Sequence, residues 1–408
     1  MPAVTTESTR SARLTAVMRE GERVKPLELF FDLVFVLAIT QCTALMVEHP
    51  TWEGLAQGVL ILGLLWWAWV GYAWLTSVVD PEEGAVRLAL FAAMGAVLLA
   101  ALSLPSAFGD GGLEFALAYC AVRAGHIALF LLASRDDPGL RHAVSGFAGG
   151  TAAGCALLVA GSFLDPGWQA AVWALALALD MLEPFLASAA GWRLAPGHFA
   201  ERHGLIMIVA RGESIGALGA GADVGLTIGV AAAAALGIAL VCELWWIYFD
   251  IVSIANVRRL VRAPVGAVQN AMARDVYSYL HFPLVAGIVI AAFGLHETLA
   301  HVDDPLHAVP AFALVGGLAI YLLGHVAVRL RGAGSLSRPR LVAALALFAL
   351  FPLALEIPSL ATLALAVAIL CVLVVYDTLS YGEGRGRVRW EFDHGIHDPI
   401  PGETTRAR

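Results

Sequence analysis

The 408 residues carry 25 Lys and Arg against 33 Asp and Glu, a formal charge of −8, and 59% are hydrophobic while only 14% are charged. A mean hydropathy of +0.78 is more than a soluble domain of this size can hide within itself, so lipid must cover the remainder. The acidic balance gives nucleic acid no basic face to bind, and the placement of the charges is explained by membrane topology alone.

Residues 1–26 are polar and carry Arg10, Arg13, Arg19, Arg23 and Lys25. After them come apolar stretches of the roughly 20 residues that a helix needs to cross a hydrocarbon core of about 30 Å. The first half gives helices at about 27–46, 54–75, 87–107, 113–133, 143–164 and 168–190. The second gives about 202–222, 226–248, 274–294, 308–330, 340–356 and 358–379. Pro352 and Pro358 interrupt the last apolar run and leave two forms open: two spanning helices, or one broken helix and a re-entrant piece. The fold class is therefore an all-α polytopic transmembrane bundle of about twelve helices. The first helix lacks a small-residue cleavage site and reads as a retained anchor.

Basic residues fix the orientation, since they stay on the cytoplasmic side. Even-numbered gaps hold Arg87; Arg135 and Arg141; Arg193 and Arg202; Arg258, Arg259, Arg262 and Arg274; and Arg329, Arg331, Arg338 and Arg340. Odd-numbered gaps hold Glu48, Glu53, Asp110, Asp165, Asp223, Glu297, Asp303, Asp304 and Glu356, with no Lys or Arg. Both termini are expected in the cytoplasm, including the tail 380–408 with Arg385, Arg387, Arg389, Arg406 and Arg408. Cys42, Cys120, Cys155, Cys242 and Cys371 lie in apolar spans without C-x-x-C spacing and read as packing residues.

Six helices and then six more, both sets starting in the cytoplasm, are what a parallel repeat of 27–190 and 191–379 gives. Leu65-Trp66-Trp67-Ala68-Trp69 in the second helix corresponds to Leu244-Trp245-Trp246-Ile247-Tyr248 in the eighth, and Asp180 to Asp377 late in the sixth and twelfth. The longest cytoplasmic connection, 249–273, falls inside the second half and is not a linker.

Charged side chains at mid-membrane are costly, so they face the bundle interior and are the functional candidates. Glu28, Asp32, Val36, Ile39 and Thr43 form one stripe of the first helix, with Thr40 beside it. Arg123 and His126 share a face of the fourth helix, as do Asp180 and Glu183 in the sixth. Arg211 and Glu213, two residues apart, point about 200° from each other and need different partners. Glu243 and Asp250 flank the Trp pair of the eighth helix, and Asp275, Tyr277 and His281 precede Pro283. Two mid-helix arginines, Arg123 and Arg211, thus face at least four acids, either as fixed interhelical clamps or as a polar path.

Trp66, Trp67, Trp69, Tyr72 and Trp74 read as packing plus an interfacial belt. The run His198-Phe199-Ala200-Glu201-Arg202-His203 puts two imidazoles and the Glu201 carboxylate at a cytoplasmic helix start, without a known metal spacing. His394 and His397, among Asp393 and Asp398, are a weaker set in the tail. No metal, cofactor or catalytic residue is assigned.

Pro26-Leu27-Glu28-Leu29-Phe30-Phe31-Asp32-Leu33-Val34-Phe35-Val36 with Ala38-Ile39-Thr40-Gln41, the Trp-rich second helix, and the His198–Ile206 run with Gly212-Glu213-Ser214-Ile215 resemble the bacterial low temperature requirement A family. Trp245-Trp246-Ile247-Tyr248-Phe249-Asp250 and Tyr277-Ser278-Tyr279-Leu280-His281 fit it too, so the likeness covers about 22–380. The resemblance implies a bacterial inner membrane protein linked to growth in the cold, and no molecular activity. Phe30, Asp32, Val34, Phe35, Ala38, Ile39 and Thr40 also resemble the first-helix signature of potassium channels built from six-helix repeats. Phe31 stands where that signature has Ser, and Arg211 in the seventh helix argues against a symmetric cation pore.

The expectation is a non-enzymatic protein in the bilayer that moves a small solute or ion through this polar interior. If transport is proton-coupled, carboxylates would carry the proton. The rivals are a cation channel, a membrane enzyme acting on lipid or polyprenyl substrates, and a cold-adaptation scaffold without turnover.

Overall fold

The computed structural model describes residues 23–82, 84–186, 191–221 and 227–393. Asp223, His394, His397 and the arginines of the first 22 and last 15 residues lie outside the described residues. The first half contains α1 (Pro26–Glu48), α2 (Trp52–Thr76), α3 (Gly84–Ser103), α4 (Gly112–Ala133), α5 (Pro138–Gly161) and α6 (Pro166–Leu186). The second contains α7 (Pro196–Gly221), α8 (Ile228–Phe249), α9 (Val252–Arg262), α10 (Ala267–Met272), α11 (Phe282–Ala300), α12 (Ala308–Ala333), α13 (Arg338–Ala354) and α14 (Ser359–Asp393).

Local chemistry sets these limits. Proline, whose missing N–H costs nothing in a first turn, opens α1, α5, α6 and α7. Thr51, Asp137 and Thr227 accept hydrogen bonds from the first backbone N–H groups of α2, α5 and α8. At Asp137 the N–H of Leu140, and then the Arg193 guanidinium, hold the carboxyl below the usual range. Gly334, with φ of 61°, ends α12 in a left-handed turn that glycine adopts without strain.

Among the described residues, ten helices are long and apolar enough to cross a membrane. The other two expected from sequence are α6, which carries Asp180 and Glu183, and α13, which has 17 residues. Beyond α13, Ser359 donates to the carbonyl oxygens of Thr298 and His301, at the end of α11 away from the arginines. The chain has therefore crossed the bundle in α13, and the re-entrant form is not what it adopts. The expected connection 249–273 is itself helical. It holds the amphipathic α9 and then α10, which runs through a π-helical stretch, Ala273–Tyr279, into α11.

The two halves share one pattern of neighbours. In the first, contacts close a ring in the order α1, α2, α6, α5, α4, α3 and back to α1; in the second the order is α7, α8, α14, α13, α12, α11 and back to α7. The second follows the first position by position. The rings meet where α1 packs on α7 and α11, and α2 on α11 and α7.

Helix α2 lies inside this seam and is buried along most of its length. Trp66, Trp67 and Trp69 are each at most 3% exposed, which corrects the interfacial-belt reading: their N–H groups serve the interior. Trp66 donates to the Ser278 carbonyl at 2.8 Å, Trp69 to Asp32 at 2.8 Å and Trp74 to the Ser278 hydroxyl at 3.0 Å. The corresponding Trp245 and Trp246 of α8 are 43% and 42% exposed on the periphery. The tightest helix pair is α11 and α12, where glycines let backbones touch. A Cβ on Gly294 would lie 2.3 Å from the Leu314 nitrogen, and one on Gly287 2.6 Å from the Gly317 oxygen and the Tyr321 nitrogen.

Candidate functional site

The candidate residues separate into three clusters. The first sits in the seam between the rings. Because α7 begins at Pro196 rather than near 202, His198, Arg202 and His203 are drawn into the bundle, and all three are fully buried. Arg202 donates to Glu28 at 3.1 Å, to Asp32 at 2.5 Å and to Thr76 at 3.2 Å, with its guanidinium 5.5 Å from the Trp69 ring centre. His198 reaches the same Glu28 oxygen at 2.8 Å. His203 lies edge-on to Trp69 and 5.5 Å from His281, which in turn contacts the Tyr248 hydroxyl at 2.9 Å.

The sequence placed Arg202 in a cytoplasmic gap, so this cluster is larger than expected, and one expected member is missing. Glu201, one residue away on α7, faces out and accepts from the Val24 N–H at 3.2 Å. The expected excess of buried acid over buried arginine is narrower than two against four: among the described residues, Arg123, Arg202, Arg211, Arg258 and Arg340 are buried alongside Glu28, Asp32, Asp80, Asp180, Glu213 and Asp250.

The second cluster lies inside the first ring. Arg123 on α4 bonds Asp180 on α6 at 2.8 to 2.9 Å and Thr151 on α5 at 2.9 Å, and Thr151 in turn donates to Asp180 at 3.2 Å. Glu183, half-buried one turn further along α6, accepts from the Gly150 N–H at 3.3 Å. One Arg123 nitrogen makes all of these bonds. Its Nε and Nη1, the indole nitrogen of Trp67 and both ring nitrogens of His126 have no hydrogen-bond partner among the described residues. They border a cavity of about 70 Å³ walled by Trp67, Trp74, Phe130, Phe147 and Trp192, with Asn270 and Arg274 at its arginine-bearing end. The absent side chain of Gly71 makes room for the His126 imidazole, which a Cβ there would approach to 2.8 Å.

The third cluster belongs to the second ring. Arg211 and Glu213 do take different partners. Glu213 turns to α1 and accepts from Thr40 at 2.5 Å. Arg211 turns to α8 and α12, donating to the carbonyls of Met207 and Leu244 and to the Tyr321 hydroxyl at 2.6 to 2.9 Å, between the rings of Tyr248, Phe249 and Tyr321. No ion pair to Arg211 forms among the described residues. Glu243 is half-buried, with one carboxylate oxygen unpartnered, and Asp250 lies at the arginine-bearing end of α8. Among the described residues no three His, Cys, Asp or Glu side chains are grouped to hold a metal ion.

A family model described as bacterial low temperature requirement A protein matches residues 23–375. A protein of Rhizobium meliloti, described as uncharacterized, is 29% identical over 364 residues, which is 86% of this chain and 88% of its own length. No solved structure matches.

Proposed function

We propose a transport role for this chain, which belongs to the bacterial low temperature requirement A family. A small solute with hydrogen-bond acceptors would pass through the first ring in a bacterial inner membrane, meeting Arg123, His126 and Trp67. What carries this reading is the set of buried, unpartnered donors beside a cavity. A buried donor left unsatisfied costs about 1–3 kcal/mol, so a fold that keeps several around one space is arranged for a polar visitor.

The charge arrangement suits a solute that arrives with a proton. Arg123 is already neutralised by its direct pair with Asp180, which Thr151 braces, so an added anion would leave the site with excess negative charge. Glu183, next to Asp180 on the same face, is the carboxylate placed to take a compensating proton. Asp32, by contrast, is held by Arg202 and Trp69, and the seam cluster acts as a clamp rather than a path.

The test is solid-supported-membrane electrophysiology on proteoliposomes, screening small organic anions, amino acids, Na⁺ and K⁺ under an imposed pH gradient. A current should appear for at least one solute and vanish in the charge-balanced Arg123→Gln/Asp180→Asn variant while that protein remains folded. Currents that persist in the variant reject the reading.

A further inference from the structure

The second ring holds a cavity where the first ring holds the one beside Arg123. Its wall includes residues of α8, α12, α13 and α14, the second, fourth, fifth and sixth helices of its half, together with α9, as the first includes residues of α2, α4, α5 and α6 together with Trp192, Asn270, Arg274 and Ser278. Trp246 and Asp250 occupy in its wall the places of Trp67 and Gly71, at the same offset that aligns the paired Leu-Trp-Trp motifs. The chemistry has diverged. Where the first cavity is walled by aromatic rings, the second gathers Arg259, Arg329 and Arg340 against Asp250 and Asp377, and amphipathic α9 runs along its arginine-bearing end.

At about 270 Å³ it is far larger than the roughly 10–15 Å³ that one water requires. Its polar groups are incompletely satisfied. Arg340 pairs with Asp377 at 2.9 Å and donates to Ser337 at 3.3 Å, yet its Nε has no partner among the described residues. The same holds for Asn256 Nδ2 and both ring nitrogens of His325, and these three side chains are at most 6% exposed. Arg329, held only through Ser335 at 3.1 Å among the bonds seen, adds a partly exposed guanidinium. Arg211, without an ion pair among the described residues, stands behind His325 across the Tyr321 ring. Three guanidiniums over two carboxylates leave the cavity cationic and rich in donors. Among the described residues its unpartnered acceptors are Asp377 Oδ1 and whichever ring nitrogen of a neutral His325 carries no proton.

We propose that this cavity binds a phosphate-like oxyanion, presented either by the headgroup of an anionic lipid or by a small soluble phosphate compound. Guanidinium forks match the paired oxygens of such a group, Asn256 and His325 donate to the others, and Asp377 Oδ1 accepts the proton of a singly protonated phosphate. Trp246, 42% exposed at the rim, leaves the opening beside the lipid. Basic pockets between spanning helices at the cytoplasmic side are suited to such headgroups. The site is separate from the solute path assigned to the first ring, and its failure would leave that reading standing.

Two measurements on the purified full chain test the assignment. Radiolabelled inorganic phosphate is titrated onto protein in a nonionic detergent, and native mass spectrometry compares phosphatidylglycerol with phosphatidylcholine retained from nanodiscs. Saturable phosphate binding that falls at least tenfold in Arg329→Gln identifies a soluble ligand. Preferential phosphatidylglycerol retention that is lost in Arg329→Gln identifies a headgroup. The charge-balanced Arg340→Gln/Asp377→Asn variant should behave like Arg329→Gln, whereas Arg193→Gln, on the surface, should match the parent chain. Absence of both ligands from the parent chain, or equal retention in Arg329→Gln, overturns the proposal.

Discussion

Replacing Arg202 with Met should be among the most damaging single changes in the bundle. The methionine fills most of the volume but removes the donor shared by Glu28, Asp32 and Thr76, leaving two carboxylates at most 2% exposed without their cation. Breaking a buried pair from one side costs about 3–5 kcal/mol, and the guanidinium over Trp69 adds about 0.5–2 kcal/mol. The unfolded fraction should therefore rise by roughly two and a half to five orders of magnitude, at about 1.4 kcal/mol per tenfold. Reversible unfolding in mixed micelles, followed by tryptophan fluorescence, reports this directly because Trp69 is part of the cluster. The triple variant Arg202→Met/Glu28→Gln/Asp32→Asn removes cation and anions together and should recover at least about 2 kcal/mol, since neutral replacements avoid the stranded charge. A single variant within about 1 kcal/mol of the parent chain, or a triple variant no better than the single one, would refute the assignment of the cluster as an ionic clamp.

Alanine at Gly294 or Gly287 puts a methyl group into the backbone of α12. Each should cost at least the roughly 1–3 kcal/mol of an overpacked core, read as a loss of monodisperse protein on size exclusion and an earlier unfolding midpoint. Asp137→Ala removes the cap of α5 and should cost about 1 kcal/mol. Because its folded carboxyl titrates below the usual range, the cap's contribution is fully present above the ordinary aspartate pKa and lost as the pH falls through the folded value. The difference between parent chain and variant should narrow only in strong acid, and a gap that widens there would contradict the cap.

Much of the architecture was legible because a membrane permits so few solutions. Runs of apolar residues and the one-sided distribution of arginine gave the helices and their order, while the starts expected near 54, 143 and 202 fall at Trp52, Pro138 and Pro196. What the sequence hid was burial among helices that are all apolar. Hydropathy alone treats α2 and α8 alike, and only contacts show that Trp67 faces a cavity wall within the seam while Trp245 faces outward. Arg202 was missed for a related reason: the run from His198 to His203 is polar, so hydropathy delays the start of the span to the very residue that the helix carries inside. The offset from Trp67 to Trp246 and from Gly71 to Asp250 was available in the paired motifs. It acquired meaning once both positions lined cavities in matching rings.

The seam where the rings meet limits how this molecule can move. Helices α1, α2 and α7 and the π-helical stretch ahead of α11 are stitched there by Arg202, by indole N–H groups and by carboxylates whose separation would expose charge to hydrocarbon. Swinging one half against the other as rigid bodies would have to break that stitching on every cycle. The outer helices are held by fewer such bonds, α5 and α6 to α4 through Arg123 and α13 to α14 through Arg340 and Asp377, so breathing that moves each of these sets as a unit belongs at the rim, with the middle serving as a fixed spine.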